Sequence, residues 1–143
     1  MATYDQLKLK EYEYWMLYLH ANQGYLGRAY AWLKRPGAMQ RFGGLKFKER
    51  DELWDQVLHE YENSVGRLWT PEHMNYAWLG NEFNTHLGHG HLHLIPRYRR
   101  VVSFAGVEFS DGQWGHNYAP YPKIKLPEAI LFAVRDALKK ELR

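Results

Sequence analysis

The stretch "HLGHGHLHLIPRY", residues 86–98, decides how this chain is read. It contains His86, His89, His91 and His93, four of the eight histidines in 143 residues. The last three alternate with Gly90 and Leu92. An extended strand has a side-chain period of two, so His89, His91 and His93 share one face while Leu92 and Leu94 share the other. Successive rings on that face stand roughly 6.6 Å apart along the backbone. Leu92 and Leu94 then address a core, and Gly90 lets a neighbouring element come close on their side. Three imidazoles in a row are costly for a plain fold, because each ring nitrogen needs a partner. The row therefore points to chemistry or to metal.

Zinc accepts three imidazoles plus water, but its ligands must converge within about 2 Å of one point. Three positions on one strand face span roughly 13 Å, so the outer two converge poorly. A metal site would need His86, His116 or a carboxylate in place of one of them, and none has a recognisable spacing. We expect no metal site and keep a metal-dependent hydrolase as the alternative reading. Nucleophilic catalysis suits the row better. One neutral imidazole attacks an electrophilic centre, a second protonates the leaving group, and a third orients the substrate. Histidine suits phosphorus because it titrates near neutrality. The attacking ring needs an unprotonated nitrogen, so its other nitrogen needs an acceptor such as a backbone carbonyl.

Outward from this strand, the chain reads as alternating aromatic strands and two helices. Residues 4–10 suggest a short helix. Residues 12–19, "YEYWMLYL", and 25–35, "YLGRAYAWLKR", read as a hairpin joined by the turn "HANQG" and ended by Pro36-Gly37. From Lys48 to Leu68, Leu53, Trp54, Val57, Leu58, Tyr61, Val65 and Leu68 recur at helical spacing. Residues 73–80 form a third strand and 89–95 a fourth. Val107 to Phe109 is a short possible strand. Pro127 opens a C-terminal helix with Ile130, Leu131, Val134, Leu138 and Leu142 on one face. Sequential hairpins around one long helix argue for an α+β fold, and we expect residues 1–143 to form one domain. Trp32, Trp54 and Trp69 are assigned to core packing.

Composition narrows the partners. Hydrophobic residues make up 45% and aromatic residues 16%, with six Trp and eleven Tyr, enough for a core and for rings that stack on a heterocycle. The net charge of +3 and pI near 9.0 suit an anionic ligand but fall short of a polycationic nucleic-acid binder. With no cysteine, disulfides, thiolate metal sites and cysteine nucleophiles are excluded. No apolar run approaches a membrane span, and no basic segment leads into an apolar one at the N-terminus. We expect a cytoplasmic protein with no membrane and no sequence-specific nucleic-acid partner.

"HGHLHLIPRY" resembles the signature of the histidine triad (HIT) superfamily: three alternating histidines, apolar spacers, then two apolar residues and Pro-Arg. "NQGYLGRAYAWLKR", the long helix, "MNYAWLGN" and "WGHNYAPY" follow the order of a bacterial-type subgroup. The resemblance implies an antiparallel sheet of about five strands with one long central helix and a C-terminal helix, paired as a homodimer. It also implies a purine-nucleotide hydrolase or transferase that cleaves at the α-phosphorus of a dinucleoside polyphosphate, phosphoramidate or related conjugate. By position, His91 matches the nucleophile that forms a nucleotidyl-histidine intermediate. His89 and His93 match the flanking members that contact phosphate and assist leaving-group protonation. No cofactor is required, although Mg²⁺ can arrive bound to the substrate. A non-catalytic nucleotide-binding module is the further alternative. Gly90 departs from the apolar residue that the family prefers, and Gly27-Arg28 stands where many relatives place a histidine after the glycine.

Further candidates surround the triad. Arg97 and Arg28 offer guanidinium groups for phosphate oxygens. Asn22 and Gln23 in the hairpin turn, and Asn81 after the third strand, offer amides for ribose or phosphate. Trp114, with His116 and Tyr118, could line a base or leaving-group pocket. His86 reads as a loop histidine, and Arg99 and Arg100 as a solvated strand end.

Overall fold

The computed structural model describes residues 2–36, 41–79 and 88–143. A single 3-10 turn, Asp5–Leu7, leads into β1, Lys8–Glu11. Then come β2, Trp15–Leu19, and β3, Ala29–Leu33. A continuous helical segment follows: α1, Phe47–Glu52, a π-helical stretch, Leu53–Leu58, and α2, His59–Trp69. After it come β4, His73–Trp78, and β5, His91–Arg97. A small hairpin of β6, Val102–Phe104, and β7, Val107–Phe109, precedes α3, Glu128–Glu141.

Five strands form one antiparallel sheet in the order β1-β2-β3-β5-β4. This is the α+β arrangement expected, with the triad strand inside the sheet between β3 and β4. The two-residue period sorts the sheet into two faces. Trp15, Leu17 and Leu19 of β2 stand opposite Leu33, Ala31 and Ala29 of β3. Ala31 and Ala29 in turn face Leu92 and Leu94 of β5. All eight join one apolar cluster with Leu53, Val57, Tyr61 and Val65 of the long helix and Val134 and Leu138 of α3. The opposite face carries Tyr18, Tyr30, Trp32, His91, His93 and Ile95, and it is called the front face below.

The expected short helix at 4–10 is one turn only; the rest is an edge strand. Leu7 and Leu9 are buried while Lys8 and Lys10 are half-exposed, the alternation of a strand. The hairpin with β2 therefore prevails over helix nucleation in so short a segment. Trp54 is another correction: it is 63% exposed. Leu53 and Val57, four apart, take the inward stripe and leave the adjacent position outside. Trp69 is buried in the core as expected, whereas Trp32 lies half-buried on the front face.

Two polar anchors join sheet to helix. The buried Glu52 carboxylate accepts the backbone N–H of Glu13, Tyr14 and Trp15, at 3.2, 2.7 and 3.1 Å. It thereby closes the β1–β2 turn. Tyr61 donates its hydroxyl to the Gly27 carbonyl at 2.7 Å. Gly27 has φ +90°, and a Cβ there would stand 3.0 Å from the Trp69 ring, so glycine is required on both counts. Replacing Glu52 by Ala strands three turn N–H groups beside a new gap. We expect a loss of about 2–4 kcal/mol in urea denaturation, with an unchanged far-ultraviolet spectrum for the folded fraction.

Candidate active site

The triad rests on the pairing of β5 with β3. His91 stands opposite Trp32 and His93 opposite Tyr30. Gly90 continues the ladder by accepting the Leu33 N–H at 2.8 Å. His89 precedes the strand, and its ring lies against Trp32, with centroids 5.1 Å apart. The rings of His91 and His93 meet edge-to-face at 5.0 Å. The three imidazoles therefore share the front face.

His89 Nδ1 lies 2.8 Å from the Leu33 carbonyl oxygen. A carbonyl only accepts, so Nδ1 carries the proton and Nε2 is the nitrogen left for chemistry. The carbonyl partner anticipated for the attacking ring is thus seen at a flanking member. His91 and His93 are buried, 2% and 5% exposed. Tyr30 packs within 6.3 Å of His91 and 6.1 Å of His93, and burial pushes its phenol well above the ordinary value. It stays neutral at any working pH.

The turn "HANQG" contributes a residue that the sequence reading assigned only to turn chemistry. His20 directly follows β2, its ring 6.0 Å from that of His93. Its Nδ1 accepts the Asn22 N–H at 3.0 Å, which places the ring proton on Nε2. The signal was available in the hairpin register. His20 donates its backbone N–H to Arg28 O, so it stands opposite Arg28 on the front face, where its ring meets Tyr30 at 6.1 Å.

Gln23 proves to be a structural bracket. It is fully buried; its Nε2 donates to His20 O and Arg28 O, and its Oε1 accepts from Gly27 N. Asn22 holds the same turn from outside. Its Nδ2 donates to Pro122 O and its Oδ1 accepts from Gly24 N. Asn81 and His86 lie outside the described residues.

The two arginines differ sharply. Arg97 is buried on the front face with every donor engaged. Nε and Nη2 grip Asp111 at 2.6 and 3.2 Å, and Nη1 donates to Asn75 Oδ1 and His116 O. The other Nη2 hydrogen goes to Gln113 O. Asp111 itself is fully buried. Arg97 is therefore a staple that fastens the segment 111–118 across the sheet, with no donor left for a phosphate. Arg28 is 2% exposed, and among the described residues its side chain makes one hydrogen bond, from Nη2 to Tyr121 Oη at 3.1 Å.

That segment walls two openings. A cleft of about 440 Å³ lies among His73, Met74, Asn75, Arg97, Trp114 and His116. Trp114 stacks on His73 there, with centroids 5.5 Å apart and planes 10° from parallel. A larger cleft of about 740 Å³ is lined by Asn75, Ala77, Leu79, His116, Asn117 and Tyr118, among others. Ala77 is the cross-strand partner of His93, so this opening borders the triad strand. Arg99 and Arg100 are exposed, as expected of a strand end.

Among the described residues no group of three or more His, Asp or Glu could hold a metal ion, and no helix is long and apolar enough to cross a membrane. An Asp111→Asn substitution leaves the Arg97 charge buried with a weakened partner. We expect about 3 kcal/mol of destabilisation by urea titration and faster proteolysis between residues 111 and 122.

Solved structures share this architecture. A histidine triad protein from Bradyrhizobium japonicum matches with a TM-score of 0.70 and 12% identity, over 95% of this chain and 90% of that one. A hypothetical histidine triad nucleotide-binding protein from Sulfolobus tokodaii gives 0.66 and 13%, over 95% and 83%. A HIT family protein from Bacillus anthracis reaches 25% identity with a TM-score of 0.52, over 64% of this chain and 63% of that one. No protein-family model and no curated protein matches the sequence.

Proposed function

We propose that this chain, which has the fold of the histidine triad superfamily and carries that superfamily's motif on β5, is a nucleotide hydrolase or nucleotidyl transferase. The observation that carries the proposal is the row of His89, His91 and His93 on one sheet face, beside a cleft bordered by the partner strand of His93. A front face of aromatic rings around imidazoles suits a planar base joined to a phosphate.

In this reading a neutral His91 ring nitrogen attacks the α-phosphorus. A nitrogen–phosphorus bond forms, the bond from phosphorus to the leaving group breaks, and a flanking imidazole gives the leaving group its proton. Water, or another acceptor in a transferase, then attacks the nucleotidyl-histidine. The nucleoside monophosphate leaves and the imidazole is restored. His89, with Nδ1 tied to Leu33, presents Nε2 as the site that gains and loses a proton.

Asn22, Arg28 and Trp114 remain the proposed substrate contacts, while Arg97 and Gln23 hold the walls behind them. The proposal takes the substrate to be a purine nucleotide conjugate and the working form to be a cytoplasmic homodimer. It assigns no resident cofactor, with Mg²⁺ entering only as part of the substrate.

The test is His91→Ala assayed on adenosine phosphoramidate and on diadenosine polyphosphates. We expect turnover to fall at least about 10³-fold, as removal of a covalent nucleophile requires. Wild-type protein quenched with α-³²P-labelled substrate should carry acid-labile label that the variant lacks. Full activity in the variant would remove the mechanism.

A further inference from the structure

Arg28 is a buried cation whose partners are incomplete. Its guanidinium is permanently charged and carries five N–H hydrogens. Among the described residues neither Nε nor Nη1 finds an acceptor, and with the second Nη2 hydrogen that leaves four of the five without one. No described carboxylate pairs with it, and its one hydrogen bond goes to Tyr121. Tyr121 and Tyr118 lie against it, their ring centroids 4.4 and 5.6 Å from the guanidinium carbon. Two π-faces offset only part of the cost of burying a charge.

Arg97 supplies the internal comparison. It lies on the same face under the same segment, yet it has Asp111 and acceptors for all its donors. The fold thus completes one buried arginine and leaves the other ready for an anion from outside.

Position says which anion. Arg28 immediately precedes the Ala29–Leu94 pair, which sets it level with Ile95. That is four residues, or roughly 13 Å of strand, from the level of His91. Its side chain meets Tyr118 and Tyr121. It is therefore placed for a charged group next along the ligand from the phosphorus that His91 would attack. The approach is short: Tyr118 lines the 740 Å³ cleft and also lies against the guanidinium, so one ring separates them.

We infer that Arg28 is the receptor for a second phosphate of the substrate, covered by Tyr118 and Tyr121 until the ligand enters from the cleft. The preferred substrates are then those with two or more linked phosphates, over phosphoramidates, whose single phosphate lies at the triad. The substrate assignment rests on the catalytic reading above; the anion site itself does not.

Two measurements on the full chain separate them. In titration calorimetry with inorganic pyrophosphate, wild type and His91→Ala should bind alike, and Arg28→Gln should bind at least about tenfold more weakly. In kinetics, Arg28→Gln should lower kcat/KM for diadenosine polyphosphates at least about tenfold more than for adenosine phosphoramidate. Pyrophosphate affinity indifferent to Arg28, or an equal fall on both substrates, would overturn the inference. Should Arg28→Gln fail to fold, Tyr118→Ala carries the test: uncovering the guanidinium should tighten pyrophosphate binding, and unchanged binding counts against the site. Arg28-dependent pyrophosphate binding without turnover of any nucleotide would end the catalytic reading and leave the anion site standing.

Discussion

The pairing of β5 between β3 and β4 is the constraint on which the remaining structure depends. Its ladder hydrogen bonds hold the backbone extended, and extension forces side chains to alternate. Leu92 and Leu94 can enter the helix-facing core only if His91 and His93 turn the other way. A slip of one residue would bury imidazoles among leucines and expose the leucines, so the apolar pattern and the chemical pattern enforce each other. The same register aligns Tyr30 and Trp32 beside the imidazoles and brings Ala77 of β4, a small side chain, to the rim of the larger cleft.

Among the described residues no helix covers the front face, and the segment after β7 lies across part of that face. It is irregular, so it cannot hold itself in place with ladder hydrogen bonds. The Arg97–Asp111 pair does this instead, buried and fully hydrogen-bonded, with the guanidinium also gathering the Gln113 and His116 carbonyls. Polar groups are buried here because each finds its partner, which is the condition for such burial to be tolerated. Arg28 departs from that condition beneath Tyr118 and Tyr121. Two guanidiniums on one face thus differ in how completely the described residues satisfy them.

Much of the fold was legible because periodicity is local. The long helix follows from Leu53, Val57, Tyr61 and Val65, and α3 from Leu131, Val134 and Leu138. β1 was misread although Leu7 and Leu9 alternate with Lys8 and Lys10, since four residues can serve either structure until a neighbour pairs with them. β6 escaped notice for the same reason. The row of imidazoles was legible in the alternation of residues 89–93, whereas the hydrogen-bond partners of the residues around it were not. Gln23 looked like a free turn amide, and only the folded turn shows three backbone groups converging on it. His20 lay inside a recognised turn, and its place beside His93 depends on two strands and the order in which they pair.

By itself, then, the sequence determined the alternation that puts three imidazoles on one face, the α+β order of elements and the absence of thiol chemistry. These depend on the spacing and type of neighbouring residues, and backbone geometry converts spacing directly into direction. Which arginine finds a full set of partners and which lacks one among the described residues was decided only in the tertiary structure. Asp111 lies fourteen residues beyond Arg97, and Tyr121 ninety-three beyond Arg28. A charge's partner is set by distance in space, which the chain acquires only when the sheet and its covering segment have come together.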